Sequence, residues 1–460
     1  MTSLSRLWPG VLLASLASWH AATAEGATAP EADDAEAAGE PEPPRAEDSL
    51  TTTDFQPREP GFTLHWDLLR LPEFGARLAL TPLFPILAAG EQVRLDLRIY
   101  DAVTNDERTS IVLPLITAYT KDGVGGGLLY SHSDAFGGGE NIEFFALTTT
   151  NRDVNVSGSY SEDVSLLNGR SIGIGFDYDL DNNDRYYGLG PHTEPEDLRA
   201  LETRSLELLL EFDIGGPNTF FRTGLGSELR LGYLRERLGP GKISGHPPVR
   251  DDDPEVPAPP GFEEPLDYAN AEWVFSYDQR DSAGRTQRGV FLATLLSAST
   301  DMNSRDIHGG KTTVTATYFL PVAPRYRVLV FTVAGAAVTP LGEDAEVPLH
   351  QLVELGRSSS LRGYPKRRFR DRTGWWANLE YRYPIFDYQD TGAGLSAAMF
   401  IDAGAVAPSV LKFGESKVRY SPGIGIRAEA PSDFVFRAQV AWSPEGIEAG
   451  ISLNELYDLL

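Results

Sequence analysis

The sequence predicts an all-β protein whose main domain is one 16-stranded antiparallel transmembrane β-barrel. Three observations predict this fold class. The N-terminus has the features of a secretory signal peptide, the rest contains no apolar stretch of about 18 residues, and short alternating segments recur from Ile111 onward. In lipid, a chain without spanning helices can satisfy its backbone hydrogen bonds only as a closed barrel.

The alternation of apolar and polar side chains defines the individual strands. Leu206, Leu208 and Leu210, for example, alternate with Ser205 and Glu207. One face of such a strand suits lipid and the other suits a wet lumen, whereas a soluble sandwich seldom carries charges so regularly. We predict sixteen strands, an even number as bacterial barrels have, at residues 111–120, 123–132, 141–150, 152–163, 170–181, 205–215, 219–235, 268–281, 288–299, 311–323, 326–339, 374–386, 395–406, 417–430, 433–442 and 446–456.

The connections between these strands support the same topology. Each long connection follows an odd-numbered strand, while most of the others are tight turns. If the first strand starts in the periplasm, the long connections are external loops, which is the asymmetry that outer-membrane barrels show. The long connections are residues 182–204, 236–267, 300–310, 340–373 and 407–416.

The residues before the barrel divide into three parts. Residues 1–24 carry Arg6, a short apolar core and the small-residue site Ala22-Thr23-Ala24, which predicts a cleaved signal peptide and export to the outer membrane. Residues 25–60 are rich in Ala, Glu, Asp and Pro, and we expect this acidic segment to be disordered. Residues 61–107 contain apolar clusters broken by prolines and predict a short periplasmic segment, and the barrel domain occupies 108–460.

The composition excludes several function classes. The chain has 460 residues, 66 acidic and 40 basic, so its net charge of −26 argues against binding nucleic acid. It has no cysteine, which excludes disulfides, thiolate metal sites and a thiol nucleophile.

Catalytic and metal motifs are also missing from the sequence. No G-x-S-x-G, H-E-x-x-H or P-loop occurs, and the seven histidines are scattered without an evident serine partner. Asp177, Asp179 and Asp181 are spaced like the start of a calcium loop, but Asn182 and Gly188 replace the glycine and glutamate that such a loop needs. We therefore predict no enzyme activity, no catalytic residues, no metal site and no cofactor.

Four motifs in the second half resemble one family. A strand-turn motif combines Asp278, Arg280 and Asp281 with Arg288 and Gly289. The others are Leu361-Arg362-Gly363-Tyr364 in the loop 340–373, Asn378 to Pro384 on the next strand and Phe400 to Gly404 on the strand after it. A weaker match, Arg185 to Gly190, lies in the first half. In order and spacing they are similar to the bacterial surface antigen superfamily, the outer-membrane assembly and translocation barrels of the BamA and TamA type.

The resemblance implies a role for the loop 340–373. By strand register, Asp402 and Glu380 face the lumen, and the loop would fold back inside so that Arg362 meets them. Leu361, Arg362, Gly363 and Tyr364 would then form a loop-lock motif with Asp402 and Glu380 as lumenal partners. From the residues alone, a solvated loop arginine remains the alternative.

The resemblance also implies the function. We expect assembly or transport of a polypeptide or a lipid cargo through a loop-gated lumen, with outer-membrane lipid as the surrounding partner. Two departures are that the residues before the barrel are too few for a POTRA module and that the chain ends on Leu460 rather than Phe. The sequence therefore resembles the branch without POTRA domains. A passive pore, or a scaffold that docks periplasmic protein partners through 61–105, is the alternative, and monomer and homodimer both remain open.

Overall fold

The structure is a computed structural model, and part of the chain is described in it. The predicted signal peptide, the acidic segment, nearly all of 61–107 and the C-terminal residues 454–460 lie outside the described residues. The described residues are 103–105, 107, 109–164, 170–213, 224–282, 285–303, 307–322, 327–342, 345–357, 360–387, 394–429 and 435–453.

Sixteen of the described strands form one closed antiparallel barrel, which confirms the predicted fold class. Two further short strands pair with each other inside the longest external loop. In chain order the strands are β1 (Ser110–Tyr119), β2 (Gly123–Ser133), β3 (Asn141–Thr149), β4 (Val154–Val164), β5 (Arg170–Tyr186), β6 (Arg199–Asp213), β7 (Leu225–Pro240), β8 (Pro265–Asp278), β9 (Gly289–Asp301), β10 (His308–Pro321), β11 (Val328–Pro340), β12 (Val353–Leu355), β13 (Phe369–Asp371), β14 (Thr373–Asp387), β15 (Gly394–Ala407), β16 (Arg419–Glu429), β17 (Val435–Ser443) and β18 (Gly446–Leu453).

The predicted strand count is right, but the predicted outer ends of β5 to β8 stop short of the observed ones. These strands run on beyond the alternating apolar positions, to Tyr186 at the end of β5 and to Pro240 at the end of β7. The outer parts of neighbouring strands pair with each other beyond the apolar, lipid-facing belt. The pairing of β5 with β6 has a register shift there, between Asp181 and Asp184. Polar ends carry no hydropathy alternation, so the sequence pattern placed them in loops.

The two faces of the barrel differ as a membrane barrel requires. Outward side chains such as Ile174, Leu208 and Phe331 are 57%, 50% and 49% exposed, forming the lipid-facing belt. Lumenal side chains on β10, such as Thr315, are polar and buried. In the described part of the chain, no helix has the length and apolarity to traverse a bilayer.

The barrel closes at the seam between β1 and β18. Within the described residues the two strands pair at two positions, Ala118 with Ile451 and Tyr119 with Gly450, whereas β1 pairs with β2 along its whole length. Gly450 is required there, because a Cβ would overlap the ring of Tyr119.

The main hydrophobic core lies at the external end of the barrel. The external loops fold over the ends of β5 to β7 and β11 to β15, and their side chains form one buried cluster with the lumenal wall. Leu361 and Tyr364 belong to this cluster, so the longest loop is part of the core. The cluster further contains Tyr186, Leu201, Leu238, Val249, Val256, Phe262, Leu352, Leu355, Phe369 and Trp376.

The strand-turn motif forms the periplasmic turn between β8 and β9. Arg280 pairs with Asp278 at 2.6 Å, and Asp281 accepts the backbone N–H of Arg288 at 3.3 Å. Gly289 has φ +126°, and a Cβ there would overlap the carbonyl oxygen of Gln279. The motif is therefore a turn whose geometry allows only glycine at 289.

Substitution of Gly289 tests this reading of the motif. We expect Gly289→Ala to destabilise the barrel by more than the roughly 1–3 kcal/mol of a left-handed alanine, because a steric overlap is added. Gly446→Ala is the matched control, since Gly446 has φ +128° with open space around its Cβ position. Urea unfolding of the refolded barrel measures both; equal losses would contradict the steric argument.

Candidate functional site

The longest external loop, residues 341–372, enters the lumen and binds its wall. It contains β12 and β13, which form a small hairpin, and a run of basic residues at 366–372. Gly356 has φ +134° and lies so close to Pro365 that a Cβ would overlap its carbonyl oxygen. This tight crossing brings the two ends of the segment 357–365 together and presents Arg362 to the wall.

Arg362 and Asp402 form a buried, multiply hydrogen-bonded ion pair. The Nη2 atom of Arg362 donates to Oδ1 of Asp402 at 2.6 Å, and Nε contacts both carboxylate oxygens at 3.0 and 3.1 Å. The backbone N–H of Arg362 also donates to Oδ2 at 2.9 Å. Asp402 is fully buried on β15. The sequence-predicted partners are therefore in direct contact.

Glu380 binds the same guanidinium from the neighbouring strand β14. Its Oε2 lies 2.5 Å from Nη1 of Arg362, and its Oε1 accepts from Arg382 at 2.7 Å and from Arg427 at 3.4 Å. The ring of Phe400 lies 3.3 Å below the Arg362 guanidinium carbon. The cation is thus enclosed by two carboxylates and an aromatic face.

Neighbouring polar groups orient Asp402. Asn378 donates to its Oδ1 at 2.9 Å and to the carbonyl of Ser360 at 2.8 Å, so one amide joins strand and loop. Ser421 on β16 donates to Oδ2 at 3.2 Å. Each carboxylate oxygen therefore has several donors, as a buried charge requires.

The other residues of the loop motif fit tightly around this pair. Leu361 is fully buried, and Tyr364 packs edge-on against Phe369 at 5.1 Å. A Cβ at Gly363 would lie 2.6 Å from both the Ser421 side chain and the carbonyl oxygen of Trp442. Glycine is thus needed for the loop backbone to approach the wall.

The charge state of Arg362 is fixed by its partners. Burial would lower the pKa of its guanidinium, but Asp402 and Glu380 outweigh it and raise the pKa. Arg362 therefore stays charged throughout the physiological pH range. Removing one member of such a buried pair leaves an uncompensated charge, at a cost of about 3–5 kcal/mol.

A second buried ion-pair network, which the sequence analysis missed, anchors the loop to β5. Arg370 contacts Asp184 at 2.7 Å and Glu354 at 2.9 Å, and Arg367 contacts Asp184 at 3.0 Å. Asp181 pairs with Lys366 and Arg367, both at 3.3 Å. The basic run at 366–372 and the aspartates that ended the calcium-like pattern were the available signals, but no spacing rule pairs residues so far apart.

The loop also reaches the seam. The guanidinium of Arg357 stacks 3.4 Å from the ring centre of Tyr119 and pairs with Asp122 at 3.1 Å. Burial would raise the pKa of Asp122, but Arg357, Arg185 and Lys366 lower it overall. The external end of β1 is thereby attached to the loop, while Lys121 pairs with Glu448 of β18 at 2.5 Å.

A serine and a histidine do meet in the structure, although the sequence showed no such pair. The Nε2 atom of His350 lies 3.0 Å from Ser299 Oγ, and its Nδ1 lies 3.2 Å from Glu236. Ser299 is only 1% exposed and donates its proton to Asn270 at 2.6 Å. A hydrolytic serine needs an open face and a proton held by the base, so we interpret this chain of bonds as a third loop anchor.

No group of acidic and histidine side chains in the described ranges could hold a metal ion. Asp181, the last residue of the calcium-like pattern, is instead bound by Lys366 and Arg367 of the loop. The described site therefore consists of charged side chains that fix a loop.

Comparison with known proteins identifies the family of this barrel. The chain is similar to solved structures of BamA from Haemophilus ducreyi lacking POTRA domains 1–3 (17% identity, 75% of this chain and 70% of that chain, TM-score 0.53) and of CdiB from Acinetobacter baumannii (11%, 75% and 59%, 0.45). A search of curated proteins gave no match. The profile of the Omp85 superfamily domain matches residues 134–450, more than half of the chain. The chain therefore belongs to the Omp85 superfamily, the bacterial surface antigens of the outer membrane.

Proposed function

We propose that this barrel assembles or transports a polypeptide or lipid cargo at the outer membrane, with the loop 341–372 gating its lumen. The observation that carries the proposal is the buried contact of Arg362 with Asp402 and Glu380. A loop that only closes a passive pore needs no such network, because apolar side chains of similar volume often stabilise a protein as well as a buried ion pair does. The role requires no catalysis, cofactor or metal.

The loop works in this proposal as a brace across the lumen. One anchor is on β14 and β15, a second on β5, and Arg357 contacts the end of β1. Release of the brace would widen the lumen and free Tyr119, which pairs with Gly450 of β18. The seam between β1 and β18 would then be a lateral exit into the membrane.

A passive pore, or a scaffold that docks a periplasmic partner through residues 61–105, is the second candidate. The segment carries apolar clusters suited to binding another protein. In that case the loop would be a permanent plug, and its anchors would matter only for stability. Oligomeric state does not separate the two candidates, because a monomer or a homodimer can perform either role.

Cutting the Arg362 anchor tests gating. If about 1.4 kcal/mol of the roughly 3–5 kcal/mol that breaking the buried pair costs acts on gating, Arg362→Ala raises the open fraction about tenfold. Single-channel conductance in planar bilayers measures it. Arg372→Ala, an exposed arginine of the same loop, is the matched control and should leave the trace unchanged.

The second anchor sharpens this experiment. Asp184→Asn cuts the contacts to Arg367 and Arg370, and combining it with Arg362→Ala should open the lumen more than either variant alone. A folded Arg362→Ala barrel that conducts like the wild type would overturn the gating role. Heat-modifiable migration on gels verifies that each variant has folded.

Depletion of the protein tests the assembly role. We expect the outer-membrane proteome, or the outer-leaflet lipid profile, to change when the protein is removed, and wild-type protein but not Arg362→Ala to restore it. Quantitative proteomics and lipid analysis of purified outer membranes are the measurements. An unchanged membrane would favour the passive pore.

A further inference from the structure

Two carboxylates lie on the lumenal wall between β3 and β6, and we call this part of the wall the acidic hollow. Glu143 is on the lumenal face, since its neighbour Phe144 is 40% exposed on the lipid face. Glu143 is paired with Ser159 on β4, and Ser159 is paired with Gly175 on β5. Both neighbouring positions therefore carry small residues, a serine and a glycine.

A second carboxylate borders the hollow from β6. Glu211 is paired by register with Gly173, and its Oε2 lies so close that a Cβ on Gly173 would be 3.2 Å away. Glu143 and Glu211 thus flank the same small residues of β4 and β5 from opposite sides. Their strands, β3 and β6, are three strand-to-strand spacings apart, which puts the two backbones about 14 Å from each other. Ser131 on β2, paired with Glu143, completes the border.

Two polar atoms of the hollow lack partners among the described residues. Glu143 is 5% exposed and its Oε1 accepts no hydrogen bond, and Oγ of Ser131, 2% exposed, makes none. The nearby cation, Arg230, makes its short contact with Glu228 at 2.6 Å and stays 3.7 Å from Glu211. A buried carboxylate without a partner is costly, and a cation with N–H donors would satisfy it.

We propose that this hollow, the lumenal acid pocket (Ser131, Glu143, Ser159, Gly175 and Glu211), binds an ammonium or guanidinium group of a polypeptide passing through the lumen. The proposal rests on the transport function and names its cargo as a chain with basic side chains. The described residues offer no cluster suited to a metal ion, which favours an organic cation. Glu143 lies near the start of β3, so the pocket faces cargo that enters from the periplasm.

Current block in planar bilayers tests the pocket with the full-length protein. A hexa-arginine peptide added on the periplasmic side should block the wild-type channel, and Glu143→Gln should weaken the block about tenfold, as loss of one charged hydrogen bond predicts. Glu162→Gln is the matched control, because it removes the same charge from the exposed, outward side of β4. Hexa-arginine should block this variant as strongly as it blocks the wild type. Ser131→Ala, which keeps every charge, should weaken the block less.

The outcomes separate the pocket from the transport function. Equal block of wild type and folded Glu143→Gln would overturn the pocket while leaving the gating experiments untouched. Stronger block by spermidine than by hexa-arginine at equal charge concentration would overturn the polypeptide assignment. Specific block by hexa-arginine that Glu143→Gln removes would support the pocket even if depletion left the membrane unchanged.

Discussion

The burial of one cation, Arg362, is the constraint on which the rest of the site depends. A charge removed from water must be paired and hydrogen-bonded, and the lumen supplies Asp402 and Glu380 at the required positions. Those partners are in place only when the loop lies inside the barrel. The chemistry of this side chain therefore favours the position of the external loop inside the barrel, and the contacts with β5 reinforce it.

The barrel accommodates this loop by distributing charge over its walls. Aspartates at the external end of β5 pair with the basic run of the loop, while Asp402 of β15 and Glu380 of β14 bind Arg362. The basic run at 366–372 thus lies against acidic side chains of the wall. Because the loop contacts several strands, its movement would also affect the junction of β1 and β18, where Arg357 stacks on Tyr119.

Much of the fold was predictable from the sequence, because lipid forces a period of two on each strand and turns interrupt it. The sixteen-strand count followed from that rule, but the outer ends of β5 to β8 did not, since they pair beyond the lipid. The contact of Arg362 with Asp402 was expected only through family resemblance. The contacts of Arg370 with Asp184 and of His350 with Ser299 join residues far apart in sequence, and no local pattern encodes them.

The most direct test of the central claim is a double-mutant cycle on the unfolding free energy of the refolded barrel. Arg362→Ala, Asp402→Ala and the double variant are compared with the wild type by urea titration. A buried pair predicts that the double variant loses far less than the sum of the single ones, with a coupling energy of about 3 kcal/mol. Additive losses would contradict the account, because they would show that the two charges do not meet in the lumen.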